Sequence, residues 1–238
     1  MNETVLERDG NALDGRPLHH FRVTDSEYDL LQLQLISLFQ RGQQKTASAP
    51  FVLWAAERYR RDFDGGVFSW SFLVDPLGHK PDQAELREMT EIGLRYFNRP
   101  PPRRSAAGIQ YLRTLAAEGG LPIRLLSQES GYRQALLSLI SDLERFGLAC
   151  PNEQALTFAE VRARRLPLGY RTEEFHQIFV DFARELAALR AEASNRMRSE
   201  DVLEDVGGLS CLPPAGSLRR AGSVRKAGSS AFFSWLRG

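Results

Sequence analysis

The sequence predicts an all-α fold, an irregular bundle of about seven or eight helices with a disordered N-terminal arm and a low-complexity C-terminal tail. Three observations lead there. Apolar residues recur at three- and four-residue spacing across 24–197. Several of these stretches open on N-capping residues and close on glycine. No βαβ alternation is visible along the chain. The organisation that follows is an arm over 1–23, a helical domain over 24–197 and a disordered basic tail over 198–238.

Within the arm, only His20–Val23 reads as a possible extended piece. The first helix starts at Thr24, which has capping-box spacing to Glu27, ahead of Leu30, Leu31, Leu33, Leu35, Ile36 and Phe39. Arg41-Gly42 ends it. The second is placed at Pro50–Phe63, with Ser48 as N-cap and Pro50 in the first turn. Phe51, Trp54, Ala55 and Tyr59 share one of its faces, and Glu57, Arg58, Arg60 and Arg61 the other. Asp64-Gly65-Gly66 breaks the chain. The next stretch, VFSWSFLVDPLG (67–78), favours a strand by propensity. Its length and Pro-Leu-Gly exit suit a short buried helix, which is preferred because no partner strand is in sight.

A third long helix is expected over 81–98, burying Leu86, Met89, Ile92, Leu94 and Phe97. NRPPPRRS (98–105) is a stiff loop. A helix over about 105–118 then runs into AAEGGLPIRLL (116–126). Gly119 and Gly120 stand where a helix C-cap takes a left-handed residue, and Pro122 starts a new turn. A phosphate-gripping Walker loop needs GxxxxGK[ST] after a strand; this stretch follows a helix and has no Gly-Lys pair. It reads as a tight corner, with a helix N-terminus near Leu121–Ile123 left as the alternative, an anion site. Further helices are expected over 129–147, buried through Tyr132, Leu136, Leu137, Leu139, Ile140, Leu143 and Phe146 with Gly147 as C-cap, over 153–165, and over 172–197. The last buries Phe175, Ile178, Phe179, Phe182, Leu186 and Leu189.

Composition excludes some functions and leaves others open. Formal net charge is +1, so there is no global basic signature of nucleic-acid binding. The charge is uneven: residues 211–238 carry +5 with no acid, which leaves −4 on 1–210. Basic residues are 28 arginines against 3 lysines, and arginine makes the better bidentate anion contact. The two cysteines, Cys150 and Cys211, are too few for a disulfide scaffold. The first twenty residues lack the apolar core of a signal peptide, and no apolar run reaches the ~20 residues of a membrane span. These readings place the chain in the cytoplasm.

HExxH, CxxC pairs, EF-hand loops and GxSxG are missing from the sequence. His19 and His20 read as solvated, and His176 as a surface histidine. Acids at helix starts, such as Glu173 and Glu174, suit the macrodipole without any catalytic role. No cofactor is predicted. What remains is a set of basic–aromatic clusters: WAAERYRRDF (54–63), PPPRRS (100–105) and RARR (162–165). The predicted nucleic-acid or partner-binding residues are Trp54, Arg58, Arg60, Arg61, Arg103, Arg104 and Arg113, on the premise that the fold gathers them into one phosphate-reading surface.

FVLWAAERYRRDFDGGVFSW, EIGLRYFNR and GIQYLRTLAAEGGLPIRLL resemble the N-terminal region of a large, uncharacterised bacterial family. Its members are encoded in anti-phage defence islands, often beside a DEAD/DEAH-type helicase. The resemblance covers about 25–195. Family members are much longer, so activity residing in their remaining part lies outside this chain. The resemblance implies a recognition or scaffold module of a defence system rather than an enzyme. Its partner would be such a helicase, or DNA or RNA through phosphate contacts. Two alternatives stand beside it: a nuclease or a fragment of one, and a purely structural N-terminal domain.

Overall fold

The computed structural model describes residues 14–79, 81–102, 108–127, 131–147 and 150–206, the side chains of 147 and 197–206 excepted. The described residues form α-helices joined by short 3-10 turns and contain no strand. The α-helices are α1 (Asp25–Gln40), α2 (Gln44–Asp62), α3 (Trp70–Val74), α4 (Gln83–Tyr96), α5 (Ile109–Glu118), α6 (Ile123–Ser127), α7 (Gly131–Gly147), α8 (Asn152–Ala163) and α9 (Glu173–Val206). The short α6 is an addition to the expected set. The ambiguous stretch after Gly66 is helical: Ser69 caps α3 by accepting the Phe72 N–H, and a 3-10 turn follows over Asp75–Leu77. The chain divides into two units, 1–193 and 194–238; residues 194–206 of the second are helical.

Two helix starts follow the local rule. Thr24 accepts the Glu27 N–H, while Glu27 accepts the Thr24 N–H at 2.8 Å; Asp82 and Glu85 repeat the arrangement at the head of α4. The second helix departs from expectation. It begins at Gln44, so Pro50 lies inside it, and Ser48 is no N-cap: its hydroxyl donates to the Gln44 carbonyl at 3.2 Å. Pro50 leaves the Thr46 carbonyl without its helical N–H donor. The helix survives because it is buried on nearly every side, with Ala47, Phe51, Val52, Leu53, Trp54, Ala55, Ala56 and Tyr59 all in the core. A helix buried all round is held by its neighbours rather than by propensity.

α2 is therefore the axis of the fold. Helices α1, α4, α5 and α6 and the 3-10 turn Leu18–Phe21 all pack on it. Two glycines let neighbours reach its backbone. A Cβ at Gly93 of α4 would stand 2.3 Å from the Ser48 carbonyl oxygen, and one at Gly119 would stand 2.3 Å from that of Ala56. The Gly119-Gly120 pair thus divides its work. Gly120 holds the left-handed conformation expected at the corner, with φ +73°. Gly119 is right-handed, φ −69°, and is small because α2 is against it.

Boundaries shift at both ends. Of the expected arm 1–23, residues 1–13 lie outside the described residues, while Leu18, Phe21 and Val23 are buried in the core. Of the expected tail 198–238, residues 198–206 are helical and 207–238 lie outside the described residues. Several side chains expected inside are on the surface: Leu30 and Leu33 of α1, Tyr132, Leu137 and Phe146 of α7, and Leu189 of α9.

Candidate functional site

The predicted cationic face of α2 is folded inward onto carboxylates. Glu57, 1 % exposed, lies between Arg60 and Arg61, at 3.1 and 2.9 Å. Arg61 also pairs with Asp25 and donates to the Val23 carbonyl at 2.6 Å. Arg58 pairs with Asp62 at 2.8 Å, donates to the Phe72 carbonyl at 2.9 Å, and lies over the Trp54 and Phe72 rings. Trp54 is fully buried and stacks on Tyr28. Trp54 and Arg61 tie α2 to α1, and Arg58 ties it to α3, while Arg60 pairs within α2 itself. Burying Glu57 demands both partners, since an unpaired buried carboxylate is strongly destabilising. Of the other predicted residues, Arg113 is half-buried, its Nε enclosed without a hydrogen-bond partner among the described residues. Arg103 and Arg104 lie outside the described residues. The described members of the set therefore form no open phosphate-reading surface.

A second buried carboxylate went unread in the sequence. Glu118, at the end of α5, pairs with Arg99 at 2.7 Å and accepts the Leu18 N–H at 3.0 Å. Arg99 also donates to the Gly15 carbonyl at 2.7 Å, and His19 Nδ1–H donates to the Glu118 carbonyl at 3.2 Å. The His19 ring lies against Gly120, where a Cβ would stand 2.6 Å from it. His19 is thus half-buried rather than solvated. Burial first, then His20 and the arginines Arg60 and Arg99, lower its pKa to about 4, so the ring is neutral at pH 7. His176, expected on the surface, is buried, and desolvation lowers its pKa also. The Cys150 thiol donates to Gln154 at 3.1 Å. Among the described residues, no group of three or more His, Cys, Asp or Glu side chains is placed to hold a metal ion.

The open surface lies elsewhere. Two loops, 63–69 and 164–171, are stitched side by side: the Gly169 N–H donates to Gly65 at 2.8 Å, and the Tyr170 hydroxyl donates to Phe63. Gly65 sits at φ +86°, and a Cβ there would meet Pro167 at 2.5 Å and Tyr170 at 2.6 Å. Phe63, Phe68 and Tyr170 anchor the pair from beneath. On this rigid base stand Val67, 87 % exposed, and Leu168, 76 % exposed. Exposed Arg164 and Arg165 follow α8, in the RARR stretch. The platform's sequence signal was the DFDGGVF run and the RARRLPLGY run, read separately because nothing in one dimension joins them.

Architecture and site together describe an all-α domain whose helical arginines serve its own carboxylates and whose free apolar side chains stand on stitched loops. The chain belongs to the YjiT N-terminal domain family, whose model matches residues 1–121. It is 32 % identical over 133 residues to Protein YjiT of Escherichia coli (strain K12). That match covers 53 % of this chain and 25 % of the relative, so the chain spans about a quarter of the relative's length. No solved structure matches it. Among the described residues no helix is long and apolar enough to cross a membrane.

Proposed function

We propose that this chain is a non-enzymatic interaction module that docks a partner protein through the Val67–Leu168 platform. The observation that carries the reading is that platform: two aliphatic side chains held out into water by loops that are themselves fixed. Exposed apolar side chains on a rigid base are what a protein–protein contact uses as anchors. The fate of Arg58, Arg60 and Arg61 supports a protein over nucleic acid, because their charges are matched inside the fold. The resemblance to proteins of anti-phage defence islands points to a DEAD/DEAH-type helicase as that partner, in a cytoplasmic defence assembly.

The test is co-purification of the tagged full chain with DEAD/DEAH-type helicases from its genomic neighbourhood. Retention of a helicase by the parent chain, and its loss in the Val67→Asp/Leu168→Asp variant, is the expected result. Equal retention by both would overturn the platform. A second reading rests on Arg164 and Arg165, which carry no ion pair among the described residues. They would grip phosphates. DNA affinity that falls steeply with salt and is lost in Arg164→Ala/Arg165→Ala would favour that reading.

A further inference from the structure

Resting on the platform reading above, we propose that the Val67–Leu168 platform takes an acidic peptide segment, in which glutamate or aspartate flanks large aliphatic residues. The argument begins with charge. The two stitched loops carry one acid, Asp64, and three arginines, Arg164, Arg165 and Arg171, and all four are exposed. Arg165 and Arg171 stand three residues to either side of Leu168. The body of the chain, 1–210, is net negative, so this local excess of cations runs against its balance.

The cations are also unmatched. None of the three arginines has a carboxylate partner among the described residues. Arg171 donates from Nε to the Leu166 carbonyl at 2.6 Å, within its own loop, and Asp64 accepts the Gly66 N–H at 2.9 Å, within the other. A further exposed arginine, Arg124 of α6, adds to them. Burial raises the pKa of the Tyr170 phenol, Asp64 adds to the rise and Arg124 opposes it, so both charges lie within electrostatic reach of that anchor. On α2 the case is the reverse: Arg58, Arg60 and Arg61 are each matched by an acid of the fold.

Charge and apolarity together name the occupant. A guanidinium grips a carboxylate through parallel N–H donors, and clustered arginines are a recurrent means of holding acidic motifs. A purely acidic ligand would leave Val67 and Leu168 in water, and a phosphate backbone offers nothing to cover them. A purely apolar ligand would leave the arginines unanswered. A segment that carries both kinds of residue covers the aliphatic pair and supplies the missing counter-charges. Exposed charges of this sort speed association and fix which partner is accepted more than they add affinity. They are screened by salt, so binding weakens as ionic strength rises.

Fluorescence anisotropy of the full chain with short labelled peptides tests this: one of glutamate and leucine, one of lysine and leucine, and one of glutamate and serine, each at low and high salt. The expected result is that the glutamate–leucine peptide binds best and that salt weakens it. Arg164→Glu/Arg165→Glu lowers its affinity by about tenfold or more and moves the preference to the lysine–leucine peptide. Val67→Ser/Leu168→Ser, which changes no charge, weakens it as well, with unchanged helical content by circular dichroism. Equal binding of the lysine–leucine peptide by the parent chain overturns the acidic partner and leaves the platform standing. So does indifference to Arg164→Glu/Arg165→Glu. Indifference to Val67→Ser/Leu168→Ser overturns the platform itself. Absence of binding by the glutamate–leucine peptide overturns the acidic partner, and the co-purification above then decides the platform alone. A labelled oligonucleotide that binds more tightly than any of the peptides, and is lost in Arg164→Glu/Arg165→Glu but not in Val67→Ser/Leu168→Ser, overturns the inference in favour of nucleic acid.

Discussion

Gly119→Ala is the sharpest perturbation of this fold. The residue sits at φ −69°, a conformation alanine adopts freely, so backbone strain contributes nothing. Removing a glycine there also restricts the unfolded chain, which by itself stabilises by about 0.4–1 kcal/mol. Against this, the new methyl would stand 2.3 Å from the Ala56 carbonyl oxygen and 3.1 Å from its carbon. Both belong to the backbone of the most buried helix, so no side chain can swing aside; α5 or α2 must shift. Overpacking of this kind costs about 1–3 kcal/mol and sometimes more, and we expect a net loss of about 2 kcal/mol. Gly120→Ala loses a comparable amount for a different reason: about 1–2 kcal/mol for a left-handed alanine, plus the collision with His19. Urea unfolding followed by circular dichroism measures both. In a His19→Ala background the Gly120→Ala penalty should shrink while that of Gly119→Ala stays, a coupling that a double-mutant cycle isolates. A Gly119→Ala chain as stable as its parent would refute the claim that α2 is packed backbone to backbone at this corner.

Other consequences are as direct. Glu118→Gln leaves the Arg99 guanidinium without its buried counter-charge and should cost about 3 kcal/mol or more, read by urea unfolding, with earlier proteolytic cutting within 14–23. Because folding lowers the pKa of His19 from 6.5 to about 4, its neutral form favours the folded state. That stability is complete above about pH 6.5 and is lost as pH falls toward about 4, by up to roughly 3 kcal/mol; the stability–pH curve of His19→Gln should be flatter over this interval. On α8, Ala159→Leu should destabilise by about 1–3 kcal/mol, whereas Val161→Asp should stay within about 0.5 kcal/mol of the parent. Equal losses in thermal unfolding would contradict the burial of Ala159 against the exposure of Val161.

The sequence made legible what is decided within a few residues. Thr24 with Glu27 marked the head of α1, because that capping box needs only its own first turn. Gly120 marked the corner for the same reason. Pro50 misled in the second helix: the usual place for proline in a helix is its first turn, and only the burial of α2 on nearly every side lets the residue sit further in. The arginines misled through distance. Arg60 and Arg61 stand three and four residues from Glu57, a spacing that already marks an ion pair on one helix. What the sequence could not convey is that this face turns inward toward Asp25 and Val23, far back in the chain. Glu118 gave no local signal at all, because its partners Leu18 and Arg99 come from two other segments.

These long-range ties bear on the extent of the family match. The matched stretch is 1–121, and its described N-terminal part meets its last helix: Leu18 and His19 bond to Glu118, and the His19 ring lies on Gly120. Glu57 and its arginines close the interior of the same stretch onto Val23 and Asp25. Both buried carboxylates therefore find their counter-charges within 1–121, so nothing in this electrostatic network requires α7, α8 or α9. The apolar side chains left in water divide differently. Leu30, Leu33, Val67 and Tyr96 lie inside the matched stretch, while Leu168, Phe146 and Val161 lie beyond it. The pairs of Glu57 and Glu118 lie inside the matched stretch, whereas His20 reaches beyond it to Glu185 of α9 at 4.0 Å. Variants at Glu57 and Glu118 should therefore report on folding, and variants at Val67 and Leu168 on the proposed docking.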